Sequence, residues 1–196
     1  MRIRILGCSG GIGAGRRTTA LLVDDDILID AGTGVGELDL EALARVDHLF
    51  LTHSHLDHVA ALPMLLDTVG AVRRAPLTVH AQDATLAALR GHIFNSVIWP
   101  DFSRIPTPEK PFMTYATLTP GTEVVLGKRR VRSVPVNHVV PAVGYLVRGP
   151  GGSLAFSGDT TVNDGFWQAL NACDDLKHVI IETSFLDADA ELARIS

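Results

Sequence analysis

Strand-like and helix-like apolar spacing alternate along the whole chain, and this alternation limits the fold more than any other feature. Segments 19–23 and 27–29 are short apolar runs that predict β-strands. Leu40, Leu43 and Ala44 then share one face at helical spacing and predict a helix. Because strands and helices exchange repeatedly in this way, the sequence predicts a layered α/β sandwich.

The rest of the chain continues the same alternation. Further predicted strands are 48–51, 77–80, 124–126, 131–134, 143–147, 154–156 and a buried final strand at 179–181, and further predicted helices are 60–69, 86–93 and 166–173. Gly149–Gly152 predicts the turn of a hairpin. The segment 95–121 is rich in proline and aromatic residues, and it predicts an irregular surface excursion that acts as a lid or rim.

Composition narrows the class of protein. The chain has 196 residues, 46% of them hydrophobic, and a formal charge of -5, which predicts one globular domain over 1–196 and excludes a disordered chain. The negative charge also disfavours a strongly basic nucleic-acid binder. No export signal or membrane span is recognisable, and the two cysteines cannot form a disulfide framework, so we expect a cytoplasmic protein.

The histidines outnumber the cysteines by eight to two, and three of them fall in one short motif. Thr52–His58 reads THSHLDH and directly follows a predicted buried strand. By chance an H-x-H-x-D-H pattern should occur on the order of once in a thousand such chains. Alternate side chains at a strand end point the same way, so His53 and His55 should lie together, and the turn should bring Asp57 and His58 to a neighbouring point. The alternative, a helix cap with solvated histidines, gives no reason for three imidazoles.

Two later residues follow predicted strands in the same way. His138 comes after the strand at 131–134, and Asp159 lies in the phrase FSGDT after the strand at 154–156. Taken singly, each has an ordinary interpretation, a hydrogen-bonded structural histidine and a turn aspartate. Together with the motif they complete a ring of His and Asp side chains at strand ends, which predicts a two-metal site.

The order H-x-H-x-D-H, single His and S-G-D-T resembles the metallo-β-lactamase superfamily of metal-dependent hydrolases over almost the whole chain. The THSHLDH motif, together with His92–Asn95 and Ile98–Phe102, further resembles the class II cyclic-nucleotide phosphodiesterases. The resemblance implies a four-layer αβ/βα sandwich and a homodimer. It implies a 3',5'-cyclic-nucleotide phosphodiesterase that uses a metal-bridging hydroxide on a small nucleotide, with no membrane or nucleic-acid partner.

The same resemblance implies a role for each motif residue. His53, His55 and His138 would bind the first metal, Asp57 and His58 the second, and Asp159 would bridge the two. Zn²⁺ is the first choice of metal, and Mn or Fe also suits such ligands. The family carries one further histidine after the last strand, where this sequence offers no candidate beyond His178. Because the chain ends within a predicted helical stretch at 193–196, we expect a truncated domain with that histidine beyond Ser196.

The metal motif does not by itself identify the residues that orient the hydroxide, donate a proton or bind the substrate. Asp57 could orient the hydroxide, and His92 is the candidate proton donor, although a histidine near a helix end has an equally ordinary structural role. Trp99 and Phe102 could stack a purine or pack in the core. Glu182 could support a ligand histidine or make an ordinary turn contact.

Two alternative functions stay open. A tRNA 3'-processing endonuclease has similar metal motifs, but it usually carries a basic arm between the third histidine and the bridging aspartate. Here His138 and Asp159 are only about twenty residues apart, enough for one hairpin. The second alternative is a metal-binding protein without activity, which requires that the last ligand is truly absent.

Overall fold

The computed structural model describes residues 1–189, so the helix expected at 193–196 lies outside the described residues. The chain divides into two compact units. We call residues 2–117 the N-terminal unit, and residue 1 together with residues 118–196 the C-terminal unit.

The N-terminal unit is a six-stranded mixed sheet with helices in its connections. Its elements are β1 (Ile3–Gly7), β2 (Ala20–Val23), β3 (Ile27–Ile29), α1 (Leu40–Arg45), β4 (His48–Phe50), α2 (Leu56–Val59), α3 (Leu62–Val69), β5 (Leu77–Ala81), α4 (Asp83–Ala88), a small hairpin of β6 (Pro106–Thr107) and β7 (Lys110–Pro111), and β8 (Met113–Thr117). The strand order is β1-β2-β3-β4-β5-β8. The first three strands are antiparallel neighbours, and β3, β4, β5 and β8 run parallel.

Apolar alternation builds the core of this unit as the sequence predicts. Leu28 and Leu49 lie in one buried cluster with Leu62 and Leu66 of α3. Pro63 lies in the first turn of α3, where its missing N–H has no helical partner to lose. Single-turn helices of 3-10 type at Thr33–Glu37 and Gly70–Val72, and a π-type turn at Leu89–Ile93, complete the connections.

The prediction of an irregular excursion over 95–121 is wrong for its last part. Residues Met113–Thr117 form β8, which pairs in parallel with β5 in the main sheet, and Met113 is completely buried. The residues just before this strand are rich in proline and aromatic side chains, a composition typical of loops. The loop prediction therefore extends over the strand. The strand itself carries Thr114, Tyr115 and Thr117, which are residue types that favour strands.

The C-terminal unit is a five-stranded sheet with one helix. Its elements are β9 (Glu123–Leu126), β10 (Arg129–Val136), β11 (Ala142–Gly149), β12 (Gly152–Phe156), α5 (Asp164–Asn171) and β13 (Leu176–Ile180). The order is β13-β12-β11-β10-β9, antiparallel except for the parallel pair of β12 and β13. Phe166 and Leu170 of α5 pack on Val134, Leu146 and Ala155 of the sheet.

Two predictions about the edges of this sheet have different outcomes. The hairpin turn at Gly149–Gly152 is confirmed, and Gly151 and Gly152 take φ values of 94° and 129° that only glycine adopts readily. The last strand is present, but the prediction that it is buried is wrong, because Val179 is 41% exposed. This strand forms the edge of the sheet in the described part of the chain, so its side chains have neighbours on one flank only.

Candidate metal centre

The H-x-H-x-D-H segment occupies the turn from β4 to α2 in the N-terminal unit. The strand ends at Phe50, His55 is the residue that precedes the first turn of α2, and Asp57 and His58 lie within that short helix. His53 and His58 are buried, whereas His55 and Asp57 are partly exposed. The sequence folds in this way because the apolar strand ends just before the polar motif, whose chain then winds into a helix.

The turn brings the imidazole and carboxylate groups of the motif together. The ring centroids of His53 lie 4.7 Å from His55 and 4.3 Å from His58. A ligand atom of His53 and one of His55 are within 4.8 Å of each other. Nε2 of His58 lies 3.5 Å from Oδ2 of Asp57. The segment therefore offers two neighbouring donor pairs, one of two imidazoles and one of an imidazole and a carboxylate.

A fully buried aspartate behind the motif holds it in place. Asp30 follows β3 with φ at 58°, and its carboxylate accepts hydrogen bonds from the backbone N–H of Thr52 at 2.8 Å and from the Thr52 hydroxyl at 2.9 Å. Oδ2 of Asp30 also lies 2.7 Å from Nδ1 of His58. Since a carboxylate only accepts, His58 donates through Nδ1, and the Nε2 side of its ring faces Asp57.

Sequence reasoning missed Asp30 as a functional residue. One signal could have found it: an acidic residue directly follows three apolar residues of a buried strand and precedes Ala31–Gly32. An unpaired buried carboxylate is too costly to keep, so such a position requires a partner from elsewhere in the chain. The left-handed backbone at this position also suits aspartate better than most residue types.

The C-terminal unit supplies the other predicted ligands. His138 follows β10 and Asp159 follows β12. A ligand atom of His138 and one of Asp159 lie within 4.8 Å of each other, and both residues are partly buried. The two residues that the sequence separates by a hairpin are thus neighbours at one end of the five-stranded sheet.

Hydrogen bonds connect the loops that carry these two residues. The Asn137 amide donates from Nδ2 to the carbonyl of Val162 at 2.8 Å, and the N–H of Thr161 donates to the Asn137 carbonyl at 2.7 Å. Oε2 of Glu182 accepts from the N–H of Thr160 at 2.6 Å, directly beside Asp159. The sequence left two roles open for Glu182, support of a ligand histidine or an ordinary turn contact, and this hydrogen bond is a contact with the backbone of the Asp159 loop.

The remaining candidate residues have more ordinary surroundings. His92 is exposed on the π-type turn at Leu89–Ile93. Trp99 is half-buried against the core, and Phe102 is only 4% exposed, with its ring centroid 5.6 Å from that of Phe112. Of the two interpretations of Phe102 from the sequence, stacking on a purine and packing in the core, the structure shows core packing. His178 lies exposed within β13.

The donor set fits divalent transition metals. Imidazole nitrogens and carboxylate oxygens are ligands for Zn²⁺, Mn²⁺ and Fe²⁺, and both cysteines stand apart from the motif residues in the sequence. The carboxylate behind His58 is the kind of supporting partner that metal-binding histidines have in proteins.

The sequence of this chain matches the model of a known protein family. The model of the beta-lactamase superfamily domain matches residues 25–193. The chain belongs to the metallo-β-lactamase superfamily. The match includes every predicted ligand, from His53 to Asp159.

Curated relatives within this superfamily include ribonucleases and a probable cyclic-nucleotide phosphodiesterase. Ribonuclease Z of Bradyrhizobium diazoefficiens is 26% identical over 98% of this chain and 80% of its own length. Ribonuclease Z of Methanopyrus kandleri is 30% identical over 76% of this chain, and the match spans half of that relative. A probable 3',5'-cyclic-nucleotide phosphodiesterase of Yersinia pestis is 25% identical over 92% of this chain and 63% of its length.

Solved structures confirm the metallo-β-lactamase fold with its mixed α/β sheets. Unliganded yeast PDE1 superposes with a TM-score of 0.74 at 17% identity, covering 91% of this chain and 74% of that one. The short form of human tRNase Z gives a TM-score of 0.71 at 20% identity, covering 97% and 81%. Within residues 1–189, none of the helices has the length and apolar character needed to cross a membrane.

Proposed function

We propose that this metallo-β-lactamase-family hydrolase cleaves phosphodiester bonds with two divalent metal ions, Zn²⁺ by preference, and that its substrate is a 3',5'-cyclic nucleotide. The observation that carries the proposal is the turn after β4, where Nε2 of His58 faces Asp57 at 3.5 Å while Asp30 holds the other ring nitrogen. A histidine arranged in this way is oriented for a metal rather than for packing.

The proposed ligand sets follow the motif order. His53, His55 and His138 would hold the first ion, Asp57 and His58 would hold the second, and the carboxylate of Asp159 would serve both. Support comes from the two donor pairs of the N-terminal unit and from the proximity of His138 and Asp159 in the C-terminal unit. In each unit the ligands lie in or just after the segment that follows a strand, so the neighbouring strands fix where the donors begin.

The proposed chemistry divides between the metals and the chain. When bound, two divalent ions lower the pKa of a water and offset the charge of the phosphate. Asp57 accepts a hydrogen bond from the attacking water and orients it in line with the phosphorus–oxygen bond that breaks. His92 donates a proton to the leaving oxygen, and Trp99 supplies an aromatic face for the base; Phe102 is too deeply buried to share this role.

An RNA substrate is the second candidate, and one observation favours it. The relative with the longest match described above, over 98% of this chain, is named Ribonuclease Z. This name conflicts with the expectation that nucleic acid is not a partner. Against it, β11, its turn and β12 fill most of the segment from His138 to Asp159, so one hairpin stands where a basic arm is expected.

Parallel assays distinguish the candidates. The chain is loaded with Zn²⁺ and supplied with 3',5'-cyclic AMP, with a precursor tRNA, and with bis(p-nitrophenyl) phosphate as a generic diester. We expect hydrolysis of the cyclic nucleotide that falls at least about 100-fold in Asp159→Ala and is unchanged in Asp164→Ala, an exposed aspartate of the same unit. Cleavage of the tRNA alone would select the second candidate, and a metal-loaded chain without any turnover would select the inactive metal-binding protein.

A further inference from the structure

The hydroxyl of Thr52 lies between a carboxylate and a histidine. Oγ1 of Thr52 is 2.9 Å from Oδ2 and 3.1 Å from Oδ1 of Asp30, and it is 3.0 Å from Nδ1 of His53. All three residues are completely buried. Water has no access to replace any of these contacts, so each of these polar groups needs a partner within the protein.

The chemistry of the three groups fixes the direction of the hydrogen bonds. The Asp30 carboxylate only accepts hydrogen bonds, so the Thr52 hydroxyl donates its single hydrogen to that carboxylate. The hydroxyl oxygen then offers only lone pairs to His53, and Nδ1 of that ring must carry the hydrogen. The lone pair of the His53 ring consequently lies on Nε2.

We propose that Thr52 is a positioning residue that extends the influence of Asp30 to His53. One carboxylate thereby sets the tautomer of a histidine in each of the two ligand sets, His58 directly and His53 through the Thr52 hydroxyl. The inference rests on the proposed function, because it assigns His53 and His58 to the two metals. It explains why a buried threonine stands before the first histidine, where an apolar residue would pack equally well.

Two substitutions separate the hydroxyl from the shape of the side chain. Thr52→Val keeps the branched shape and removes the hydroxyl, whereas Thr52→Ser keeps the hydroxyl and removes a methyl group. Removing a partner that orients a metal-binding histidine typically weakens metal binding by about 10–100-fold. We therefore expect Thr52→Val to bind its first Zn²⁺ at least about 10-fold more weakly, and Thr52→Ser to stay within about 3-fold of the unchanged chain.

Nitrogen-15 NMR of the metal-free chain tests the tautomers without any metal or activity. In the unchanged chain and in Thr52→Ser, the His53 ring should carry its hydrogen on Nδ1, and Thr52→Val should lose this preference while His58 retains it. A competition assay with a chromophoric chelator then measures Zn²⁺ affinity. The inference is overturned if His53 of the unchanged chain carries its hydrogen on Nε2, a result that needs no variant to fold. It is also overturned if Thr52→Val matches Thr52→Ser in tautomer and affinity.

The same experiment keeps the two proposals distinguishable. A chain with the expected tautomers that fails to bind Zn²⁺ would contradict the proposed function, while the effect of the Thr52 hydroxyl on the His53 tautomer would stand. A chain that binds two Zn²⁺ ions and hydrolyses the diester, with no difference between the Val and Ser variants, would support the function and overturn the positioning role.

Discussion

Nδ1 of His58 and Oδ2 of Asp30 are 2.7 Å apart, and the two side chains are 1% and 0% exposed. This contact joins the end of β3 to α2 and orients a predicted metal ligand from behind. It means that a residue outside the recognisable motif controls one of the motif's histidines.

Asp30→Asn tests this control. The amide of asparagine would place a donor beside a ring nitrogen that also donates, so the His58 ring should change tautomer or turn away. We expect about 10–100-fold weaker binding of the second metal ion, measured by isothermal titration with Zn²⁺. Asp67→Asn, on the exposed face of α3, is the matched control and should bind both ions normally. Equal affinities for the two variants would contradict the role of Asp30.

The contact of Glu182 with the Asp159 loop gives a second prediction. Glu182→Ala removes the acceptor of the Thr160 N–H, and the loop that carries Asp159 then loses a charge-assisted hydrogen bond. We expect fewer than two Zn²⁺ ions per chain by mass spectrometry under native conditions. Glu123→Ala, which breaks an exposed ion pair with Arg130 in the same unit, should retain the full number. Two bound ions in Glu182→Ala would show that the loop does not need this contact.

The two findings also show which parts of the site the sequence could predict. The motif residues are recognisable because their spacing is local, and a strand followed by a turn brings them together almost automatically. Asp30 is separated from His58 by 28 residues, and Glu182 from Thr160 by 22, so only the pairing of strands brings each pair into contact. Spacing along the chain carries no signal for such partners.

The fold was predictable to a similar extent and for related reasons. Strands with clear apolar runs, such as β3 and β11, were found because burial on both faces leaves a continuous pattern. The strand Met113–Thr117 was missed because its burial depends on its neighbour β5 rather than on its own polar-rich composition. The burial of Val179 was overestimated because the apolar pattern of an edge strand can be the same as that of a central strand.

Close packing around Gly144 gives a prediction about stability. A Cβ atom there would lie 2.6 Å from the Phe156 carbonyl oxygen and 2.9 Å from the Phe166 ring. Gly144→Ala should therefore lower the free energy of unfolding of the C-terminal unit by about 1–3 kcal/mol. Gly165→Ala, in the first turn of α5 with only a 3.4 Å contact to Asn163, should leave stability unchanged or raise it by up to about 1 kcal/mol. Urea unfolding followed by circular dichroism measures both, and equal midpoints would contradict the packing argument.

His80 gives a prediction about pH. Burial lowers the pKa of His80 to about 4, and the nearby His48 contributes to this shift. Nδ1 of His48 lies 3.1 Å from Nε2 of His80. The unfolded chain, with an ordinary histidine pKa near 6.5, binds the proton more readily between these two values. Stability is therefore fully present above about pH 6.5 and decreases as the pH falls toward 4, with a slope of up to about 1.4 kcal/mol per pH unit from this residue.

His80→Gln isolates this contribution, because glutamine can bond to His48 but does not titrate in this range. Urea midpoints at pH 7 and pH 5 should differ less in the variant than in the unchanged chain. The same difference in both would mean that other groups cause the acid sensitivity.

The rate of bis(p-nitrophenyl) phosphate hydrolysis as a function of added Zn²⁺, starting from the metal-free chain, tests the central claim most directly. The proposed two-metal phosphodiesterase predicts a rate that rises until two equivalents of Zn²⁺ are bound and then stays constant. A rate that does not depend on the metal, or that reaches its maximum at one equivalent, would contradict the proposal that His53, His55, Asp57, His58, His138 and Asp159 hold two metal ions.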